Sequence, residues 1–86
     1  MSTKQKYSVQ DLRTWYRSLS TIHREYFKTR AHAIIELWIE KHNAEGILPA
    51  QQLLKELIRP LVPVQRACVQ YFLERTIKNG AHFSIA

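Results

Sequence analysis

Four cations recur through the first third of the chain at a spacing suited to one chemistry, the binding of phosphates. On a continuous helix, with about 100° between successive residues, Arg13, Arg17, Arg24 and Lys28 fall within a sector of roughly 60°. Such a row can follow a polyanion, each contact releasing a condensed counterion. Residues 1–30 hold seven basic residues, with Lys4, Lys6 and Arg30 beside those four, against Asp11 and Glu25. That segment therefore carries +5 of the formal +6. A merely solvated face would usually intersperse glutamate with lysine, and the shortage of acids points to a negative partner. Arg30 projects near the apolar face instead, where it can snorkel, pair with an acid or mark a bend.

Other reactive residue types form no comparable set. His32, Glu36 and Glu40 lie four apart and share a helix face, but three ligands on one helix need a fourth from elsewhere. A solvated face explains them more simply. His23, His42 and His82 have no cysteine or carboxylate partner pattern. Cys68, the single cysteine, falls on an apolar face, where a thiol behaves as a small inert hydrophobe. The two glycines make no phosphate-cradling loop, and no nucleophile stands beside a base. The expectation is a binding protein and not an enzyme, with no cofactor, no metal and no small-molecule substrate evident.

Eighty-six residues, 45% of them hydrophobic, make one small ordered domain. The polar residues 1–7 are expected to be a flexible N-terminus and residues 8–86 a single helical domain. One cysteine excludes an internal disulfide and suits a reducing compartment. Neither a leader nor a bilayer-spanning run is visible, so a cytoplasmic location without membrane contact is expected.

The fold expected is all-α, with three or four helices in a helix-turn-helix-like bundle and room for a short C-terminal β tail. Ser8 with Asp11 predicts a capping box. Val9, Leu12, Tyr16, Leu19, Ile22, Tyr26, Ala33 and Leu37 recur at helical spacing and predict a shared buried face. The region 9–43 is either one helix or two, and three hydroxyl residues within Ser18–Thr21 favour a break there. Gly46 predicts a stop. Pro49–Ile58 predicts a short helix, and Pro63 opens the last one, which runs to Asn79-Gly80. Ile35 and Ile39 point away from the expected apolar face. With Trp38, they make the helix apolar nearly all round and suggest a homodimer interface. Leu61 and Val62 read either as core or as an exposed patch for a partner.

Gly46-Ile47-Leu48-Pro49 followed by Leu53-Leu54-Lys55-Glu56-Leu57, and then Val64-Gln65-Arg66-Ala67, resembles the start and recognition helix of GntR-type winged helix-turn-helix domains. The closing Gly80–Ala86 segment loosely resembles the end of their wing. The resemblance covers about residues 33–86 and implies DNA binding through Gln65 and Arg66. The chain departs from the pattern at the turn, where Leu61-Val62-Pro63 replace polar residues that would face DNA and cannot donate hydrogen bonds to it. Two functions follow as expectations. One is a nucleic-acid-binding regulator, a DNA-binding homodimer. The other is a helical adaptor that binds an acidic protein through the basic row, or another protein through an apolar patch.

Overall fold

The computed structural model describes residues 7–79. The protein is all-α: four helices in chain order, α1 (Val9–Ser18), α2 (Thr21–Glu45), α3 (Ile47–Ile58) and α4 (Pro63–Lys78), with no strand among the described residues. The β tail and the wing expected near the C-terminus lie outside the described residues.

Local chemistry sets each boundary. The capping box at the start of α1 is present. The Asp11 amide donates to Ser8 Oγ and the Ser8 amide to Asp11 Oδ2, both at 3.0 Å. The hydroxyl cluster at 18–21 divides the long apolar region into two helices. Ser18 Oγ donates to the Trp15 carbonyl at 2.6 Å, closing α1. Leu19 is extended, and Ser20 caps α2 by accepting from the His23 amide at 3.2 Å. Gly46 then serves both as C-cap of α2 and N-cap of α3, at φ 98°, a region that L side chains seldom enter. Helix α3 begins at Ile47, so Pro49 occupies its third position instead of opening it. A first-turn proline still forfeits only an amide with no partner inside the helix. Pro63 opens α4.

Helix α2 is the axle. It packs most extensively on α3 and touches α4, while α1 packs on α4. Phe27, Ala31, Ile34, Ile35 and Trp38 of α2 are buried, together with Leu12, Ala50, Leu54, Ile58, Leu61, Cys68, Val69 and Leu73. Trp38 Nε1 donates to Gln51 Oε1 at 3.0 Å, tying α2 to α3. Edge-to-face contacts of Trp15 with Phe27 (5.1 Å between centroids) and Tyr16 with Phe72 (5.9 Å) join α1 to α2 and α4, a preferred aromatic geometry. Tyr7, expected in the flexible leader, packs against this core.

Two expectations about α2 need correction. Ile22, Tyr26, Ala33 and Leu37 were expected on the buried face, yet all four are exposed. The non-helical residues between α1 and α2 reset the helical phase, so a face read across them does not continue. Conversely, Ile35 and Trp38 face the interior of this chain, 5% and 2% exposed, and Ile39 is half-buried. They are core residues and not an outward interface.

Candidate nucleic-acid interface

The elbow at Leu19–Ser20 also divides the basic row. Arg24 NH2 donates to the Leu19 carbonyl at 3.0 Å, and its guanidinium lies 5.9 Å from the Tyr16 ring centroid. That side chain, half-buried with Nε lacking a hydrogen-bond partner, staples the elbow and is removed from the row. Arg17 remains exposed on α1. Arg13 and Lys28 come together in a place the row did not predict.

That place is an open groove of about 450 Å³ between α1, α2 and α4. Arg13 enters from α1, Lys28 and His32 from α2, and Tyr71 and Arg75 from α4, over a floor formed by Ile35 and Phe72. The aromatic cluster sets this convergence. Arg13 is one turn before Tyr16, Lys28 follows Phe27, and Arg75 is one turn beyond Phe72, so packing the three rings brings three cations to one opening. No carboxylate lines the groove among the described residues. None of Arg13, Lys28 and Arg75 has an ion-pair partner there; the described pairs are His32–Glu36, Lys41–Glu45 and Arg59–Glu56.

Tyr71 reports the electrostatics of the groove. Arg75 Nη1 donates to its hydroxyl at 3.2 Å. That hydrogen bond, then the positive charge of Arg75, with smaller contributions from Arg13, holds the phenol below its ordinary range, against the opposing effect of burial. A charged phenolate is favoured because cations surround it. The same field would favour any bound anion.

Gln65 and Arg66, implied as DNA-reading residues, carry local duties. Gln65 Oε1 accepts the Val62 amide at 3.2 Å in the cap of α4. Arg66 donates to the carbonyls of Ile58 and Arg59, both at 3.3 Å, satisfying the end of α3. The turn residues separate as well: Leu61 is 7% exposed and belongs to the core, whereas Val62 is 52% exposed. Helix α3, the turn and α4 thus follow one another in helix-turn-helix order, but the two side chains singled out hold the turn together.

His32 and Glu36 approach to 3.9 Å, both largely in solvent. Cys68 is 1% exposed, and burial pushes its thiol up from 9.0 to about 11; it is protonated and shielded at neutral pH. No helix among the described residues is long and apolar enough to cross a membrane. No family model matches the chain, and no curated protein or solved structure is significantly similar to it. Site assignment therefore rests on the geometry.

Arg75 is the member that sequence reasoning missed. It lies far along the chain from the basic row, and no local spacing links it to Arg13. A signal existed in Tyr71 and Arg75, which lie four apart on one helix face and place a cation beside an aromatic ring.

Proposed function

We propose that the protein acts by binding nucleic acid, without catalysis, through the groove where Arg13, Lys28 and Arg75 meet. The observation that carries this reading is the gathering of three cations from three helices with no acid among the described lining residues. Phosphate contacts of this kind give affinity and orientation without reading sequence. A cytoplasmic regulator of DNA is the role that fits the reading best, with Arg17 as an outlying phosphate contact. Base reading by Gln65 and Arg66 is not part of it, since their caps occupy them.

The test is a fluorescence-anisotropy titration with labelled duplex DNA across a salt series. The three groove contacts predict a log–log slope near −3, at roughly 0.9 per contact, and the outlying Arg17 would steepen it toward about −3.6. Binding absent even at low salt would refute the reading. So would a slope unchanged by charge reversal at Arg13, Lys28 and Arg75.

A second reading has its own observation. A mostly apolar groove of about 470 Å³ between α1, α2 and the α3–α4 turn is lined by Trp15, Leu19, Phe27 and Leu61, with the polar side chains of His23, Arg30 and Gln65 among its walls. Apolar concavities of this kind suit the side chains of a helical or extended peptide. An adaptor using it would bind a protein partner in nuclease-treated extract, and Leu19→Asp would abolish that capture while sparing the DNA titration.

A further inference from the structure

The groove that gathers Arg13, Lys28 and Arg75 has apolar depth behind its charged rim. Phosphates need only the rim. Ile35 and Phe72 form the floor, and Tyr71 stands beside them. A narrower cleft of about 50 Å³ shares Arg13, Tyr71 and Phe72 with the groove and reaches inward to Leu12, Tyr16 and Cys68.

The two rings differ in how far the fold has claimed them. Phe72 packs edge-to-face on Tyr16 at 5.9 Å and lies 6.3 Å from Phe27, so it belongs to the core cluster. Tyr71 meets Phe72 at 6.1 Å, tilted by 44°, and stays half-buried at the edge of that cluster. Arg75 sits off the hydroxyl end of Tyr71, 3.2 Å from the oxygen and 5.9 Å from the ring centroid, and does not lie flat on the ring.

These parts match the two halves of an unpaired nucleotide. Its phosphate is an anion for the cations of the rim, and its base is a flat ring for Tyr71 and the floor. At about 450 Å³, the groove has the size of clefts that hold small molecules. Asn79 also lines it, with a carboxamide that can both donate to and accept from a base edge. A duplex uses less of the site. Its base faces are covered by their stacked neighbours, so the rim can take phosphates while the ring and the floor gain nothing.

We infer that the groove takes single-stranded DNA in preference to duplex. An unpaired base stacks on Tyr71 above Ile35 and Phe72, and Arg13, Lys28 and Arg75 hold the adjoining phosphates. The inference rests on the nucleic-acid reading above and adds the form of strand that is bound. A cationic groove with an aromatic platform is the combination that holds single strands without sequence preference.

The test is a set of anisotropy titrations of the full chain with three labelled ligands of about 16 units, a length that covers common single-strand sites. They are oligothymidylate, its duplex with oligoadenylate, and a strand of abasic sites. All three present phosphates and should bind at low salt. Oligothymidylate should bind at least about fivefold more tightly than the abasic strand, the smallest effect of stacking one base, and more tightly than the duplex. Its advantage over the duplex should widen as salt rises, since the log–log slope is about 0.7 per contact for a single strand and about 0.9 for a duplex. Tyr71→Leu removes the ring and keeps an apolar side chain. With helical circular dichroism unchanged, it should close most of the gap between the thymidylate and abasic strands. The abasic comparison needs no variant and decides the matter if that chain does not fold. A thymidylate strand bound no better than the abasic strand, or no better than the duplex, would overturn the inference and leave the nucleic-acid reading standing. A gap left intact by Tyr71→Leu would do the same. Failure of all three ligands to bind would instead refute the reading itself, and the inference with it.

Discussion

The opening between α1, α2 and α4 and the junction of α3 with α4 contain the same residue types put to opposite uses. At the junction both arginines are engaged. Arg59 pairs with Glu56 at 2.9 Å, and Arg66 closes the carbonyl end of α3. In the groove Arg13, Lys28 and Arg75 meet one another and a tyrosine, with no acid beside them among the described residues. Like charges held close raise the free energy of the empty site, and an anion relieves it. An arginine's identity therefore says little about its role. What matters is whether the neighbouring backbone and carboxylates have already claimed its donors.

The strongest test of this contrast reverses the charge of one region and deletes the contacts of the other. Changing Arg13, Lys28 and Arg75 together to Glu should lower affinity for DNA by about 100-fold or more at low salt, roughly one contact's worth of binding lost at each position. Thermal unfolding should move only slightly, because these groups hold no ion pair among the described residues and the exposed Arg75 contact to the Tyr71 hydroxyl is the one described hydrogen bond lost. Arg66→Ala should do the converse. Two side-chain donors to carbonyls disappear, costing about 1–2 kcal/mol in urea denaturation, while DNA affinity stays within about twofold. An Arg66 variant that lost binding in proportion to the groove variant would erase the distinction.

Two smaller effects refine it. The Cys68 thiol has a raised folded-state value of about 11 against 9.0. Its contribution to stability is therefore complete below about pH 9 and is lost as pH rises through the folded-state value, on the order of 1 kcal/mol by pH 10. The unfolding free energy of Cys68→Ala should fall less steeply over that window than that of the parent. Tyr71 works in the opposite sense, since its phenol is lowered. Filling the groove with an oligonucleotide should neutralise the cations beside it and move its absorbance titration upward. Tyr71→Phe should remove that component of the shift.

Much of the helical framework was legible because it depends on short-range chemistry. Ser8 with Asp11, the hydroxyls at 18–21, Gly46 and Pro63 each act within one turn, and each marks a boundary in the structure. The buried face of α2 was not legible in the same way. That helix has apolar residues all round, so its orientation comes from packing against α3 and α4 and not from its own pattern. Phasing it from α1 placed Tyr26 inside and Ile35 outside, and the elbow at Leu19–Ser20 reverses both. The groove followed the same logic. Arg13 and Lys28 were visible as cations, but Arg24 was claimed by the Leu19 carbonyl and Arg75 arrived only through tertiary packing.

Gly46 joins α2 to α3 with φ 98° and ψ −179°. An added Cβ of ordinary handedness would meet nothing within 4 Å, so the objection to any other natural residue there is torsional and not steric. Those angles are the mirror image of an ordinary extended conformation. A D-alanine incorporated by chemical synthesis would therefore hold the junction without torsional strain. By narrowing the unfolded ensemble it should raise stability by about 0.4–1 kcal/mol, whereas L-alanine at the same position should lower it.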